Sequence, residues 1–297
     1  MLARELAVTA LLLAGVSVVV FAILYLAPGD PLHTLGVREA PGLPRSWVGH
    51  YAAWFGKVLQ GDFGSSIRTG LPVLPELARV GVNTLALTLG SLVLTLLIAV
   101  PIAVHAAAHG DTAGNTAATI AAYILSAVPV FWFGYIVVYV FIHQFGMFPL
   151  ISGTASKQAH AWLYFLVPIF VLGTASGTLA EMIRHLREEL SRVLAEDYIR
   201  TARAKGAPVW RHAFKEGFLI PVTEIMSAKI PFLLGGAVIV EQVFNWPGMG
   251  RMAWQAAQDR DFPVIMGVAL LAAAFVRSGN LLQRVVFTAV NPRASQE

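Results

Sequence analysis

The chain contains no cysteine and carries few charges for its length. The lack of thiols excludes a disulfide framework, thiolate metal ligands and a cysteine nucleophile. Only 13% of the 297 residues are charged, whereas 57% are hydrophobic. Soluble domains carry about 25% charged residues. This composition therefore indicates a membrane protein, because so much apolar surface cannot be hidden in one soluble core.

Motifs for catalysis and nucleotide binding are also missing. Gly56-Lys57-Val58 lacks the Ser/Thr and the upstream glycine of a phosphate loop, so no nucleotide is expected to bind there. The His-Glu-x-x-His motif is absent, and Ser176 has no evident His or Asp partner that would make it a nucleophile. His105 and His109, four residues apart, are weak candidates for a metal pair. Their alternative role is contact with a helix dipole, and no metal site is predicted.

Six long apolar runs are what the sequence does contain. A helix needs about 20 apolar residues to cross the hydrocarbon layer, and backbone groups in lipid must be satisfied internally. We therefore predict an all-α membrane protein, a single transmembrane domain with about six helices. The predicted spans cover residues 6–27, 82–104, 116–145, 162–180, 220–244 and 262–290. The first run is longer than a usual signal-peptide core, and Leu-Ala-Pro-Gly-Asp is a poor cleavage site, so we expect it to be retained.

Basic residues predict the orientation. The loop over 182–217 holds eight of them: Arg184, Arg187, Arg192, Arg200, Arg203, Lys205, Arg211 and Lys215. By the positive-inside rule this loop is cytoplasmic, and six crossings then place both termini in the cytoplasm. The loop over 28–80 is expected outside. Within it, apolar residues recur at helical spacing from Ser46 to Gln60 and predict a helix packed on the membrane surface or on other loops.

Five segments, in chain order, resemble the signatures of one transporter family. They are Leu26-Ala27-Pro28-Gly29-Asp30-Pro31; Gly61-Asp62-Phe63-Gly64-Ser65-Ser66 with Arg68; Glu196 to Gly206 with Arg211-His212-Ala213; Phe244 to Gly250; and Asn291-Pro292-Arg293. The family is that of the inner-membrane permeases of dipeptide, oligopeptide and nickel ABC importers. The resemblance covers nearly the whole chain and implies the type I importer permease fold. It also singles out Asp62, Gly64, Ser66 and Arg68 as the signature of the outer loop.

The resemblance implies a transport subunit rather than an enzyme. With a second, homologous permease it would enclose the path of a solute delivered by an extracytoplasmic binding protein. ATP and Mg would sit on two partner ATPase subunits, and this chain would hold no cofactor and bind no nucleic acid. The expected solute is a di- or oligopeptide, and nickel or a metal chelate is the alternative within the family. The alternative from another class is a channel or a secondary transporter, which would need no docking loop.

The basic loop resembles the family's ATPase-binding loop. The expected docking residues are Thr201, Ala202, Lys205, Gly206, Trp210, Arg211, His212, Phe214 and Lys215. Gly206 would permit a turn, the two aromatic residues would fill a partner's groove, and the cations would add contacts at its rim. The alternative is a solvated turn with incidental aromatic residues. We call 201–216 the docking segment and expect it to pass ATPase movement to the fifth span.

Two cations fall inside predicted spans, Lys229 in the fifth and Arg277 in the sixth. Charges in a membrane are costly and usually face the bundle interior or a water-filled cavity. Both are therefore candidates to line the solute path, where they would favour a negatively charged solute. The alternative is that each pairs with an acidic residue of the sister permease. Glu224 is not the expected partner of Lys229, because an offset of five residues places them roughly 140° apart around a helix.

Overall fold

Apolar helices dominate the computed structural model, which describes residues 2–26, 47–110, 112–145 and 161–290. In chain order the helices are α1 (Leu2–Leu26), α2 (Trp47–Leu59), α3 (Val73–His109), α4 (Ala113–Ala127), α5 (Val130–Phe145), α6 (Ala161–Ala175), α7 (Thr178–Leu194), α8 (Asp197–Ala204), α9 (Val209–Phe214), α10 (Ile220–Val243), α11 (Met249–Asp259) and α12 (Phe262–Val290). A π-helical turn (Lys215–Leu219) joins α9 to α10. The signature residues 27–31 and 291–293, and the loop over 28–46, lie outside the described residues.

Three helices are long and apolar enough to cross a membrane alone. They lie within α1, α3 and α12. Three further spans are reached when each of three bent helix pairs is counted as one crossing. The chain is therefore an all-α membrane protein with up to six spans, as the apolar runs predict. Helix α3 begins at Val73, well before the predicted start of the second span at residue 82.

The predicted third span, 116–145, is not one straight helix. It is divided into α4 and α5, which are bent by 100° relative to each other. The break falls at Val128 and Pro129, where Val128 adopts an extended conformation with φ −77° and ψ 127°. Proline disfavours the helical conformation of the residue before it, and its ring lacks the N–H that would continue the ladder. Hydropathy does not reveal this break because the apolar composition continues across it.

The predicted fourth span, 162–180, is also divided. Helix α6 ends at Ala175, and α7 starts at Thr178 with a bend of 57°. Gly177 lies between them with φ +78°, a left-handed conformation that glycine adopts without a steric penalty. The amphipathic helix α7 thus leaves the span at an angle instead of continuing it.

The chain divides into two compact units, and the first comprises Met1–Leu85 and Trp246–Ser278. Within this unit α2 packs on the membrane helix α1, whereas its apolar stripe had predicted packing on the membrane surface or on other loops. Phe21 of α1, Trp54 of α2 and Met266 of α12 form a buried cluster. The Tyr51 hydroxyl lies 2.7 Å from the Ser17 hydroxyl. Apolar packing and this polar contact together hold α2 in place.

The second unit comprises Ala86–Asn245 and Gly279–Glu297. Its core includes the apolar stripe of α7, in which Ile183, Leu186, Leu190 and Val193 are buried. Helix α6 lies directly against α3 at Gly173. The Thr95 hydroxyl is 2.8 Å from the Gly173 carbonyl oxygen, and a β-carbon at Gly173 would come within 2.9 Å of the Ser91 carbonyl oxygen. Small residues allow this kind of backbone approach between membrane helices.

Replacing Gly173 by alanine should lower the thermal stability of the protein in lipid nanodiscs. The new methyl group would collide with backbone rather than with a side chain that can move, and overpacking costs typically about 1–3 kcal/mol. Gly235→Ala is the matched control, because a β-carbon there meets nothing within 4 Å and alanine favours a helix by about 0.5–1 kcal/mol. A Gly173→Ala protein as stable as Gly235→Ala would contradict the close contact.

Candidate functional site

A defined backbone turn shapes the docking segment. Helix α8 ends at Ala204, and Gly206 follows in the left-handed conformation with φ +69°. The Gly206 N–H donates to the Arg203 carbonyl oxygen at 3.1 Å, and the Ala207 N–H donates to the Ala202 carbonyl oxygen at 2.9 Å. These two bonds form a Schellman motif, which satisfies the last carbonyl groups of a helix. Pro208 then precedes α9, so the chain turns sharply between two short helices.

A small buried core supports that turn. Val193 of α7, Ile199 of α8 and Ala213 of α9 pack together, with Leu194 and Val209 at the edge. Ala202 is also buried. The three elements are therefore fixed to one another by side-chain packing as well as by the turn, even though α8 and α9 are too short to be stable alone.

The outward face of the docking segment carries aromatic and basic residues. Trp210 is 45% exposed and Phe214 is 53% exposed. Thr201, Lys205 and Arg211 are exposed on the same segment, while the side chains of His212 and Lys215 are outside the described part of the chain. Large exposed aromatic side chains are unfavourable in water and are enriched in protein interfaces. The exposed face is thus suited to a groove on a partner protein.

The docking segment is connected tightly to α7 and α10. A β-carbon at Gly217, in the π-helical turn, would come within 3.1 Å of Leu190 in α7, so this turn lies directly on α7. The Tyr198 hydroxyl donates to the Glu216 carboxylate at 3.1 Å. Burial, and then this hydrogen bond, raise the pKa of Tyr198 above its ordinary value. The phenol therefore stays protonated as a donor at neutral pH.

Replacing Gly206 by valine should loosen the docking segment. A left-handed conformation costs an L-residue about 1–2 kcal/mol, which is a factor of about 5–30 in an opening equilibrium. No atom lies within 4 Å of a β-carbon at Gly206, so backbone strain is the only expected effect. Amide hydrogen exchange of peptides covering α8 and α9 measures the change. Gly206→Asn is the control, because asparagine tolerates this conformation; equal exchange in both variants would contradict the prediction.

Lys229 has an acidic partner in its own chain. Its ammonium group donates to the carboxylate of Glu181 on α7, forming an ion pair. Lys229 is mostly buried, whereas the Glu181 side chain is 50% exposed. Glu224, which the helical geometry excludes as a partner, is exposed. The pair links the helix that carries the docking segment to α10, within the second unit.

Arg277 also pairs within its own chain, in the first unit. Its guanidinium donates to the Glu5 carboxylate of α1 at 2.5 Å and to the Thr9 hydroxyl at 3.0 Å. Arg277 and Glu5 are both buried. Each of the two cations thus has an acidic partner within this chain.

The outer-loop signature folds into a compact turn. The Asp62 carboxylate accepts a hydrogen bond from the Gly64 N–H at 2.8 Å, and Gly64 has φ +79°. Ser66 is buried, and its hydroxyl donates to the Asp261 carboxylate at 2.5 Å. The Arg68 guanidinium lies 3.2 Å from the Asp259 carboxylate. The loop is therefore held to the end of α11 and to the residue that precedes α12, in the first unit.

The fourth signature segment has a structural role in the same unit. Trp246 is buried and its indole N–H donates to the Asn83 carbonyl oxygen at 3.1 Å. The Asn83 side chain donates to the Pro247 carbonyl oxygen at 2.7 Å, and the Met249 N–H donates to the Thr84 hydroxyl at 2.8 Å. These three bonds fix the start of α11 to the first half of α3.

The weak candidates for a metal pair and for a nucleophile make other contacts. His105 and His109 stack with ring centroids 4.3 Å apart, but His105 Nδ1 lies 2.7 Å from the Asn115 side-chain oxygen. No group of three or more potential metal ligands occurs among the described residues. Ser176 is buried, and its hydroxyl donates a hydrogen bond to the Thr178 hydroxyl at 3.0 Å. A nucleophilic role would require a base in that position.

Two acidic residues were missed by sequence reasoning. Glu5 lies near the start of the first apolar run, and Asp261 directly precedes the last apolar run. An aspartate at that position signals a helix N-cap, which does not predict contact with a distant loop. Each partner is far away in sequence: Glu5 and Arg277 are 272 residues apart, and Ser66 and Asp261 are 195 apart.

A family profile and several known relatives match this chain, and they agree with one another. The profile of the family described as binding-protein-dependent transport system inner membrane component matches residues 99–296. An oligopeptide transport system permease protein of Bacillus subtilis is 35% identical over 302 residues, covering 95% of each chain. A probable peptide ABC transporter permease protein of Sinorhizobium fredii is 33% identical, covering 98% of this chain and 97% of its own length. A glutathione transport system permease protein of Escherichia coli K12 is 32% identical, covering 93% and 92%.

These relatives are matched along nearly their whole length, and the family profile covers the docking segment, α10 and α12. The apolar helices agree with the description of an inner-membrane component. The chain therefore belongs to the binding-protein-dependent transport system inner membrane component family and is a multi-pass permease subunit of an ABC importer in the inner membrane.

Proposed function

We propose that this permease imports short peptides in an ATP-driven complex. In that complex it forms half of the transmembrane path with a second, homologous permease. Two ATPase subunits, which carry ATP and Mg, bind the docking segment, and a binding protein delivers the peptide from the outside. The basic loop over 182–217 and both termini lie in the cytoplasm. The chain itself carries no cofactor.

The observation that carries this proposal is the fixed docking segment. It combines a Schellman turn, a buried core and two exposed aromatic residues on one short piece of chain. A segment that transmits force must not deform, and exposed aromatic side chains need a partner surface. Its attachment to α7 and α10 gives ATPase movement a direct route to the membrane helices.

The choice of peptide rests on the relatives. Their names specify oligopeptide, peptide and glutathione transport, and glutathione is a tripeptide. Lys229 is retained as a candidate for the solute path because its partner Glu181 is half exposed. Arg277 is assigned a structural role instead, since both it and Glu5 are buried.

The direct test is uptake by the reconstituted complex. The permease, its sister subunit and both ATPases, taken from neighbouring reading frames, are placed in liposomes with the binding protein on the outside. A labelled dipeptide or tripeptide should accumulate only with ATP inside, and unlabelled peptide should compete. Uptake without ATP would favour a channel or secondary transporter, and competition by nickel chelates but not by peptides would overturn the proposed solute.

A further inference from the structure

An exposed stripe of polar aromatic residues runs along α5, in the second unit. Trp132, Tyr135 and Tyr139 are each more than half exposed. His143 is also exposed and follows one turn later, with its ring centroid 4.2 Å from that of Tyr139. Spacings of three and four residues place all four on one side of a helix, and we call them the α5 stripe. None of the roles assigned to this permease uses it.

The other side of α5 is packed against its neighbours. A β-carbon at Gly134 would come within 3.1 Å of Val243 in α10, and the rings of Phe133 and Phe170 of α6 have centroids 6.2 Å apart. Tyr139 follows Gly134 by five residues, which is roughly 140° around a helix. The α5 stripe is therefore on the face that α6 and α10 leave uncovered.

The two phenol hydroxyls of the α5 stripe fall in the middle of the helix. Tyr135 and Tyr139 are about 7 Å or more from either end of α5 at 1.5 Å per residue. Helix α4 is turned by 100° relative to α5, so the two cannot both run along the membrane normal, and α5 is the longer and more apolar of them. Neither hydroxyl is hydrogen-bonded to any described residue. Both therefore need a partner at membrane depth.

Lipid tails cannot supply that partner. Tyrosine is favoured at the two membrane interfaces, where its hydroxyl meets water, whereas a hydroxyl without a partner in hydrocarbon is costly. Helix α1 shows the contrasting composition, because its large exposed side chains are all aliphatic, among them Leu11, Val19 and Ile23. The α5 stripe thus differs from a helix surface that faces lipid.

Close packing against a helix of the sister permease also fits poorly. Membrane helices approach one another through small residues, and the small residue of this part of α5, Gly134, faces α10. The exposed positions between 131 and 140 instead all carry large side chains: Phe131, Trp132, Tyr135, Ile136, Tyr139 and Val140. Water is the remaining partner for the hydroxyls, and a water-filled cavity at this depth is a transport path.

We propose that the α5 stripe lines the solute path and contacts the peptide. The proposal rests on the proposed function, in which this permease forms half of that path. The Tyr135 and Tyr139 hydroxyls donate to peptide carbonyl groups, and the Trp132 ring packs on apolar side chains. Ligand sites combine aromatic walls with a few polar groups in this way. Because phenol and indole groups are uncharged, this wall accepts peptides of different sequence.

Cysteine labelling in the assembled complex tests whether the α5 stripe meets water. The chain has no cysteine of its own, so Tyr139→Cys introduces the only thiol of the permease. A thiol reacts as its thiolate, which apolar surroundings disfavour, so a charged methanethiosulfonate should label Tyr135→Cys and Tyr139→Cys in nanodiscs at least about tenfold faster than Leu11→Cys. Leu11→Cys is the matched control, because Leu11 is exposed on the aliphatic surface of α1. Equal rates at Tyr139→Cys and Leu11→Cys would overturn the inference, whether lipid or the sister permease covers the stripe.

Removing the hydroxyls tests contact with the peptide. The double variant Tyr135→Phe and Tyr139→Phe keeps both rings, and it should raise the KM for trialanine uptake at least about threefold with an unchanged thermal midpoint. Tyr123→Phe is the control, because Tyr123 is an exposed tyrosine of α4 outside the α5 stripe, and it should leave the KM unchanged. An unchanged KM in the double variant would also refute the proposal.

Failure of this inference is distinct from failure of the proposed function. ATP-driven peptide uptake by a complex whose Tyr139→Cys thiol is not labelled refutes only the role of the α5 stripe. Rapid labelling in a complex that takes up no peptide refutes only the proposed cargo.

Discussion

Replacing Trp210 and Phe214 together by alanine should reduce ATP-driven uptake at least about tenfold and release the ATPase subunits during purification. Buried aromatic anchors are worth about 2 kcal/mol or more each in interfaces, and about 1.4 kcal/mol is tenfold in affinity. Both side chains are largely exposed in the isolated subunit. Their removal therefore leaves the core of Val193, Ile199 and Ala213 in place, and insertion into the membrane should be unaffected.

Two controls separate docking from folding. Phe214 stacks on Phe218 with ring centroids 5.2 Å apart, so Phe218→Ala removes this contact but keeps the exposed ring of Phe214. Trp254→Ala removes a tryptophan that is 55% exposed on α11, far from the docking segment in sequence. Both variants should retain the ATPases. Full ATPase retention and transport in the Trp210/Phe214 double variant would show that the docking assignment is wrong.

Breaking the Glu5–Arg277 pair should destabilise the protein more than any change at an exposed ion pair. Glu5→Gln or Arg277→Gln alone leaves one buried charge without its partner, which costs about 3–5 kcal/mol. The Thr9 hydroxyl contacts the guanidinium at 3.0 Å but carries no compensating charge. The measurement is the thermal midpoint of the purified chain in nanodiscs.

The double variant supplies the decisive comparison. With both residues changed to glutamine neither charge of this pair remains, so the loss should be smaller than the sum of the two single losses. Arg184→Gln is the matched control, since the exposed pair with Glu188 at 3.3 Å is expected to contribute about 0–1 kcal/mol. Additive single effects would indicate that Glu5 and Arg277 act independently.

The apolar runs predicted helices well where the length and composition of the run alone determine the helix. Helices α1, α3, α10 and α12 occupy the runs assigned to them, because length and apolar composition decide a membrane helix. The breaks at Pro129 and Gly177, and the 53° bend after Pro231 in the fifth predicted span, were overlooked. Proline and glycine signalled them, but hydropathy remained high on both sides of each break.

The polar contacts were harder to predict. The partner of Lys229 is 48 residues away and that of Arg277 is 272 residues away, so only the packing of distant helices brings the charges together. The docking segment was easier, since Gly206, Pro208 and the aromatic residues are all near one another in sequence. Its core, however, includes Val193, and its Schellman turn uses the carbonyl oxygen of Ala202. Neither residue type by itself predicts such a contact.

The contact at Gly173 also limits what second-site changes can repair. The nearest obstacle to a β-carbon there is the Ser91 carbonyl oxygen at 2.9 Å, and every amino acid has that atom. No substitution at position 91 can therefore suppress a Gly173→Ala defect. At Gly90 the obstacle is the Ile169 Cδ1 methyl at 2.8 Å, so a shorter side chain at 169 can relieve Gly90→Ala. Genetic suppression should thus distinguish helix pairs that meet through backbone from those that meet through side chains.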